Sequence, residues 1–94
     1  MRVRWTPDAE QDRVNIRGYI AKENRHAAIR IDVLFEQAAA RLAEFPSLGR
    51  RGRVAGTREL HVHRSYRLVY KIIDDTVWVL NLVHTAREWP PATG

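Results

Sequence analysis

Apolar and polar positions alternate with two different periods along this chain, and the change of period divides it. Residues 2–5 read as a short extended start. Thr6-Pro7-Asp8-Ala9-Glu10 then has the marks of a helix beginning: Thr6 can cap, Pro7 suits the first helical position, and Asp8 and Glu10 favour the positive end of the dipole. A first helix is expected to about Lys22, with a thin apolar face through Ala9, Ile16, Tyr19 and Ile20. Asn24 breaks it. A second helix is expected from about His26 to Phe45, because Ala27, Ile31, Leu34, Phe35, Ala38, Leu42 and Phe45 follow i, i+3, i+4 spacing. Pro46 ends it. The short break implies an antiparallel helix hairpin.

Residues 45–56 contain Pro46, Gly49, Gly52 and Gly56 among Arg50, Arg51 and Arg53, and read as a loop. From Arg58 the period becomes two. Three strands are expected at 59–63, 66–73 and 76–84, turned at Arg64-Ser65 and Asp74-Asp75. Spacing this close implies an antiparallel meander. The expected fold class is α+β: a helix hairpin packed on a small, mainly antiparallel sheet, in the order β-α-α-β-β-β.

Strand alternation assigns faces. Leu68, Tyr70 and Ile72 should cover the helices, while Arg67, Val69 and Lys71 point away. A symmetric turn at Asp74-Asp75 adds Val77, Val79 and Val83 to the core set, with Asn81 interrupting it. It adds Trp78, Leu80, Leu82 and His84 to the Arg67 face. A three-residue loop at His63-Arg64-Ser65 sets Leu60 and Val62 beside Leu68 and Tyr66. A one-residue slip would move that apolar set to the wrong side. His61, Arg67, Lys71 and His84 then share a face flanked by Trp78. Two imidazoles, a guanidinium and an ammonium can hold a phosphate and move a proton near neutral pH. Trp78, Leu80 and Leu82 on the same face need a cover.

Composition sharpens this picture. Ninety-four residues make one domain, 1–94, with 45% apolar residues and no cysteine, so disulfides and thiolate metal sites are absent. The apolar runs are too short to span a bilayer and no signal-peptide order opens the chain, which leads to an expectation of a cytoplasmic protein. Sixteen Lys+Arg face 11 Asp+Glu, a net charge of +5, and 14 of the cations are Arg. Residues 1–48 carry eight cations and seven anions; residues 49–94 carry eight and four. A cationic half rich in Arg suits a polyanionic partner, nucleic acid or acidic protein.

Several segments, taken together, resemble the RelE/ParE superfamily, the toxins of bacterial type II toxin–antitoxin modules. They are Trp5-Thr6-Pro7-Asp8-Ala9, Ala43-Glu44-Phe45-Pro46-Ser47-Leu48-Gly49-Arg50 and Gly56-Thr57-Arg58-Glu59-Leu60. Arg64-Ser65-Tyr66-Arg67-Leu68-Val69-Tyr70 and Leu82-Val83-His84-Thr85-Ala86-Arg87-Glu88-Trp89 complete the set. The resemblance spans nearly the whole chain and implies two helices on an antiparallel sheet. It implies one of two activities, the first being the expected one and the second the alternative. RelE-like members cut mRNA in the ribosomal A site without metal or cofactor, by attack of a 2′-hydroxyl on the adjoining phosphate. ParE-like members inhibit DNA gyrase and are not nucleases.

Under the first activity Arg67 and Arg87 would bind the phosphate and His84 or Lys71 would carry protons. Arg50, Arg51, Arg53, Arg58 and His61 would contact nucleic acid. Under the second the same residues would shape a protein-binding surface. No Tyr follows Tyr70, where RelE-like nucleases often end on one, and the Leu82–Arg87 ending also occurs in members grouped with ParE. In either case the resemblance implies a cognate antitoxin, largely acidic, expected to wrap Trp78, Leu80 and Leu82.

Overall fold

The computed structural model describes residues 1–92. Its elements are β1 (Arg2–Trp5), α1 (Pro7–Ala21), α2 (Arg25–Glu44), β2 (Arg50–Arg51), β3 (Arg58–His63), β4 (Tyr66–Ile73) and β5 (Thr76–His84). They form one five-stranded sheet in the order β1-β5-β4-β3-β2, with β1 parallel to β5 and the other pairs antiparallel. The α+β class and the expected order hold. Arg50 and Arg51, expected as loop, add a two-residue edge strand beside Glu59 and Arg58.

Local chemistry fixes both helix starts. Thr6 Oγ1 accepts from the Ala9 amide at 3.1 Å and donates to the Leu80 carbonyl at 3.1 Å. One side chain thus caps α1 and ties it to β5. Asn24 Oδ1 caps α2 through the Ala27 amide at 3.0 Å. The helices contribute unequally to the core. In α1 only Ala9 is buried, whereas α2 buries Ala28, Ile31, Phe35, Ala38, Ala39 and Leu42. Phe45 ends α2 and points outward, 60% exposed, so the apolar stripe stops one turn earlier than its spacing suggests. Beyond the partly buried Ile16 and Ile20, polar contacts join the helices. Arg13 bonds Asp32 at 2.7 Å and Glu36 at 2.6 Å, Arg17 reaches Asp32 at 3.2 Å, and the Arg13 guanidinium lies 5.1 Å from the centroid of the Trp5 ring.

Under α2 the core is closed by Leu68, Tyr70, Val77, Val79 and Leu82. Phe35 meets Tyr66 edge-on at 5.9 Å between centroids.

Both hairpins carry a bulge, and the two bulges decide which face each later residue joins. In the first, His63 pairs with Tyr66 across a two-residue connection, and a slip at Val62 brings Leu60 opposite Leu68. Leu60 thus meets its expected neighbour through a bulge and not through a longer loop. In the second, Ile73 pairs with Thr76 and Tyr70 with Val79, as a symmetric turn requires, with Asp74 in the left-handed region at φ 54°. A slip follows at Leu80, and Val69 then pairs with Asn81, Leu68 with Leu82, Arg67 with Val83 and Tyr66 with His84. Leu82 therefore enters the core, 5% exposed, and His84 moves to the helix side. Both differ from strict alternation, which sends Leu82 and His84 to the Arg67 face. The reason lies at the edge of β5. There β1 ends, and Asp12 of α1 takes its place: its Oδ2 accepts from the Leu82 amide at 3.0 Å and the Asn81 side chain at 3.3 Å.

Candidate functional site

The sheet has two faces, and the expected site residues are divided between them. On the face away from the helices, Arg67 stands opposite His61 and two residues from Val69, which is opposite Glu59. Arg67 is 8% exposed and Glu59 3%. Arg67 Nη1 donates to Glu59 Oε1 at 3.0 Å, and Arg67 Nε is buried without a partner. The other Glu59 oxygen accepts from the Arg53 amide at 3.0 Å. One buried carboxylate thus holds the guanidinium in β4 and the basic loop after β2. Two charges taken out of water tolerate each other only as a pair, so Arg67 is committed to Glu59. Val69 and Val83 on this face are also buried, so the chain itself covers this part of the sheet.

The cationic loop is ordered by its own backbone. The Gly52 amide donates to the Thr57 carbonyl at 2.8 Å, and Thr57 Oγ1 donates to the Val54 carbonyl at 2.7 Å. Arg50, Arg51 and Arg53 are exposed on it. Arg58 is not free in the same way: its Nη1 donates to the Gly49 carbonyl at 2.7 Å and bridges the loop to β3. Tyr70 anchors the loop from beneath. Its hydroxyl donates to the Pro46 carbonyl at 2.6 Å and accepts from the Gly49 amide at 2.9 Å. Burial pushes the Tyr70 phenol up from its ordinary range, against the Gly49 amide, which favours the phenolate. Gly49 has no room for a side chain, since a Cβ there would meet the Tyr70 ring at 2.7 Å.

On the helix side, His63, Tyr66 and His84 lie in a row across β3, β4 and β5. Tyr66 meets the His84 ring edge-on at 5.2 Å. His63 Nδ1 accepts from the Ser65 amide at 3.1 Å, and His84 Nδ1 accepts from the Ala86 amide at 3.0 Å. An acceptor nitrogen cannot carry the proton, so each neutral ring keeps it on Nε2. These residues line a groove of about 580 Å³ with Ile20, Ile31 and Leu34, and Tyr66 and His84 also line a hollow of about 550 Å³ with Tyr19 and Arg87. Burial raises the Tyr66 phenol, with Tyr19 adding to the rise and Arg87 opposing it.

The four residues expected to act together thus do not converge. Arg67 is buried in an ion pair, Lys71 is exposed four residues along the same strand, and His84 is on the opposite face with Arg87. Of the expected antitoxin-binding trio, Leu82 is inside the core, while Trp78 and Leu80 are half-buried. Exposed apolar side chains on the helices include Tyr19, Ile29 and Val33. His61 is exposed beside Arg67. Among the described residues no three His, Cys, Asp or Glu side chains are grouped to hold a metal. No helix of the described residues is long and apolar enough to cross a membrane.

Sequence reasoning missed Glu59, Asp12 and the Tyr70 hydroxyl. Glu59 carried a signal: it is the single acid among the seven cations of the stretch 50–71. Asn81 carried another, as the one polar residue in an otherwise apolar alternation, at the point where the register slips.

The family model for the ParE toxin of type II toxin–antitoxin systems, parDE, matches residues 3–89. Over 90 residues the chain is 38% identical to Y4kP of Sinorhizobium fredii, covering 95% of this chain and 93% of that protein. It is 37% identical over 83 residues to the toxin RelE2 of Caulobacter vibrioides, covering 88% and 93%. Among solved structures, the chromosomal ParDE toxin–antitoxin system of P. aeruginosa superposes with a TM-score of 0.77 at 19% identity, over 89% of this chain and 95% of that one. The RelBE2 toxin–antitoxin complex of Mycobacterium tuberculosis gives 0.67 at 28% identity, over 88% and 95%. Match, identity and fold agree over nearly the whole length: the chain belongs to the ParE toxins of type II toxin–antitoxin systems, within the RelE/ParE superfamily.

Proposed function

We propose that this toxin arrests growth by binding its target, with DNA gyrase as that target, and not by cutting mRNA. The observation that carries the reading is the division of Arg67, Lys71, His84 and Arg87 between two faces of the sheet, with Arg67 held by a carboxylate that is 3% exposed. A metal-free RNase needs its phosphate clamp and its proton carrier within reach of one phosphate. Here the clamp is neutralised by Glu59, and the expected carrier His84 lies across the sheet.

Cleavage of mRNA is the second reading, favoured by the 37% identity to a toxin named RelE2. It requires Arg67 to exchange Glu59 for a phosphate. An acidic antitoxin is the partner that a net charge of +5 suits. Its natural seat is the apolar groove beside Tyr19 and His84, not the Trp78 surface. Inducing the toxin and mapping mRNA 5′ ends alongside DNA-damage signalling tests the choice. Damage signalling with intact mRNA is expected; codon-phased cuts without a damage response would overturn it.

A further inference from the structure

At the end of the sheet remote from His84, three directly paired residues form a row on the outer face. Arg4 of β1 pairs with Trp78 of β5, and Trp78 pairs with Lys71 of β4. Neighbouring strands lie about 4.8 Å apart, so the two cations flank the indole, one strand to either side. The next row pairs Arg2, Thr76 and Ile73 and adds one further cation. Arg2, Arg4, Lys71 and Ile73 are exposed and Trp78 is half-buried. None of the ion pairs formed among the described residues involves Arg2, Arg4 or Lys71. Both helices lie on the opposite side, toward which Val3 and Trp5 of β1 turn to pack against the core.

We propose that this row is a binding site for single-stranded nucleic acid, in which one base stacks on Trp78 while Arg4 and Lys71 hold the phosphates on either side. An indole between cations on an open sheet face combines the two elements that sequence-tolerant single-strand binding needs, a stacking platform and a charged track. An acidic protein segment fits this face less well. A docked helix needs several apolar anchors at i, i+3 and i+4 spacing, and apart from Trp78 the only exposed large apolar side chain in the two rows is Ile73. The groove on the helix side offers those anchors. The two polyanions that a cationic toxin meets are thereby given separate surfaces, a protein on the helix side and a nucleic acid on the sheet side. The site stands apart from the gyrase reading, because it concerns holding a strand and not cutting it.

Fluorescence anisotropy of the full chain with a labelled oligothymidylate, and with a duplex of equal length, tests the site. The single strand is expected to bind more tightly. Trp78→Ala should weaken it roughly tenfold, while Trp78→Phe, which keeps an aromatic face, retains most of the affinity. Arg4→Gln with Lys71→Gln should lower the slope of log affinity against log salt by about 0.7 for each lost phosphate contact. Circular dichroism and thermal melting of each variant separate lost binding from lost folding. Unchanged affinity in a folded Trp78→Ala chain would overturn the site. So would affinity carried wholly by Arg50, Arg51 and Arg53, or an equal loss of polyglutamate binding on removing the indole. Intact mRNA or absent damage signalling in the induction experiment bears on the target and leaves these outcomes unaffected.

Discussion

Glu59 is the side chain on which the outer face turns, because it satisfies Arg67 with one oxygen and the Arg53 amide with the other. Removing one member of a buried ion pair leaves the other charged and unsolvated. Arg67→Met should therefore destabilise the fold by about 3–5 kcal/mol in urea unfolding. Adding Glu59→Gln to that variant should recover part of the loss, since the stranded charge is gone and the amide oxygen can still accept from Arg53. A loss of toxicity in Arg67→Ala is then a folding effect, and its melting temperature should fall with its activity. Tyr70→Phe removes the hydroxyl between Pro46 and Gly49, and should cost about 1–3 kcal/mol.

The elements differ in how they are held, and so in how they respond to conditions. Strand β5 owes its edge to Asp12, and Asp12→Ala should loosen residues 80–84 first, visible as faster amide exchange at Leu82. Helix α1 buries a single residue and leans on the cluster of Arg13, Arg17, Asp32 and Glu36. The hydrogen bond from Arg13 holds the Asp32 carboxyl below its ordinary range, with the nearby charges of Arg13 and Arg17 adding to the effect and burial opposing it. A carboxyl whose folded value is depressed stabilises the fold above its unfolded value of about 4 and loses that contribution as the pH falls through the lowered one. Wild type should therefore exceed Asp32→Asn in stability at neutral pH, and the two should converge under strongly acidic conditions. High salt should narrow the gap at neutral pH, because Arg17 and Glu36 are largely exposed.

Across the whole molecule, the helices and the longer strands were legible because each announces itself locally, whereas the two-residue β2 was not. Thr6-Pro7, Asn24 and Pro46 mark helix ends, and the change from a 3.6-residue to a two-residue period marks the sheet. The site was less legible, because it depends on register. Alternation counts residues faithfully until a strand gains one, and the bulge at Leu80 moved Leu82, Val83 and His84 to the faces opposite those expected. Nothing between Val77 and Val83 except Asn81 signals that slip, since Leu80 and Leu82 are equally apolar and either can lie inward. Partners were the other loss. Arg67 reads as a free cation in a line of letters, and only the pairing of β3 with β4 shows that Glu59 claims it.

The parallel pairing of β1 with β5 has a consequence in time. Residues 2–5, made before the other strands, find their sheet partners only in residues 76–79. While the chain is being made, Val3 and Trp5 must wait for more than half of the sequence to leave the ribosome before the sheet can close over them. Every shorter nascent chain lacks the strand that joins the two halves, so an incomplete toxin cannot assemble its surfaces. A chain ended before Thr76 should show no cooperative thermal transition. The order of synthesis thus holds back closure of the sheet until β5 is in place.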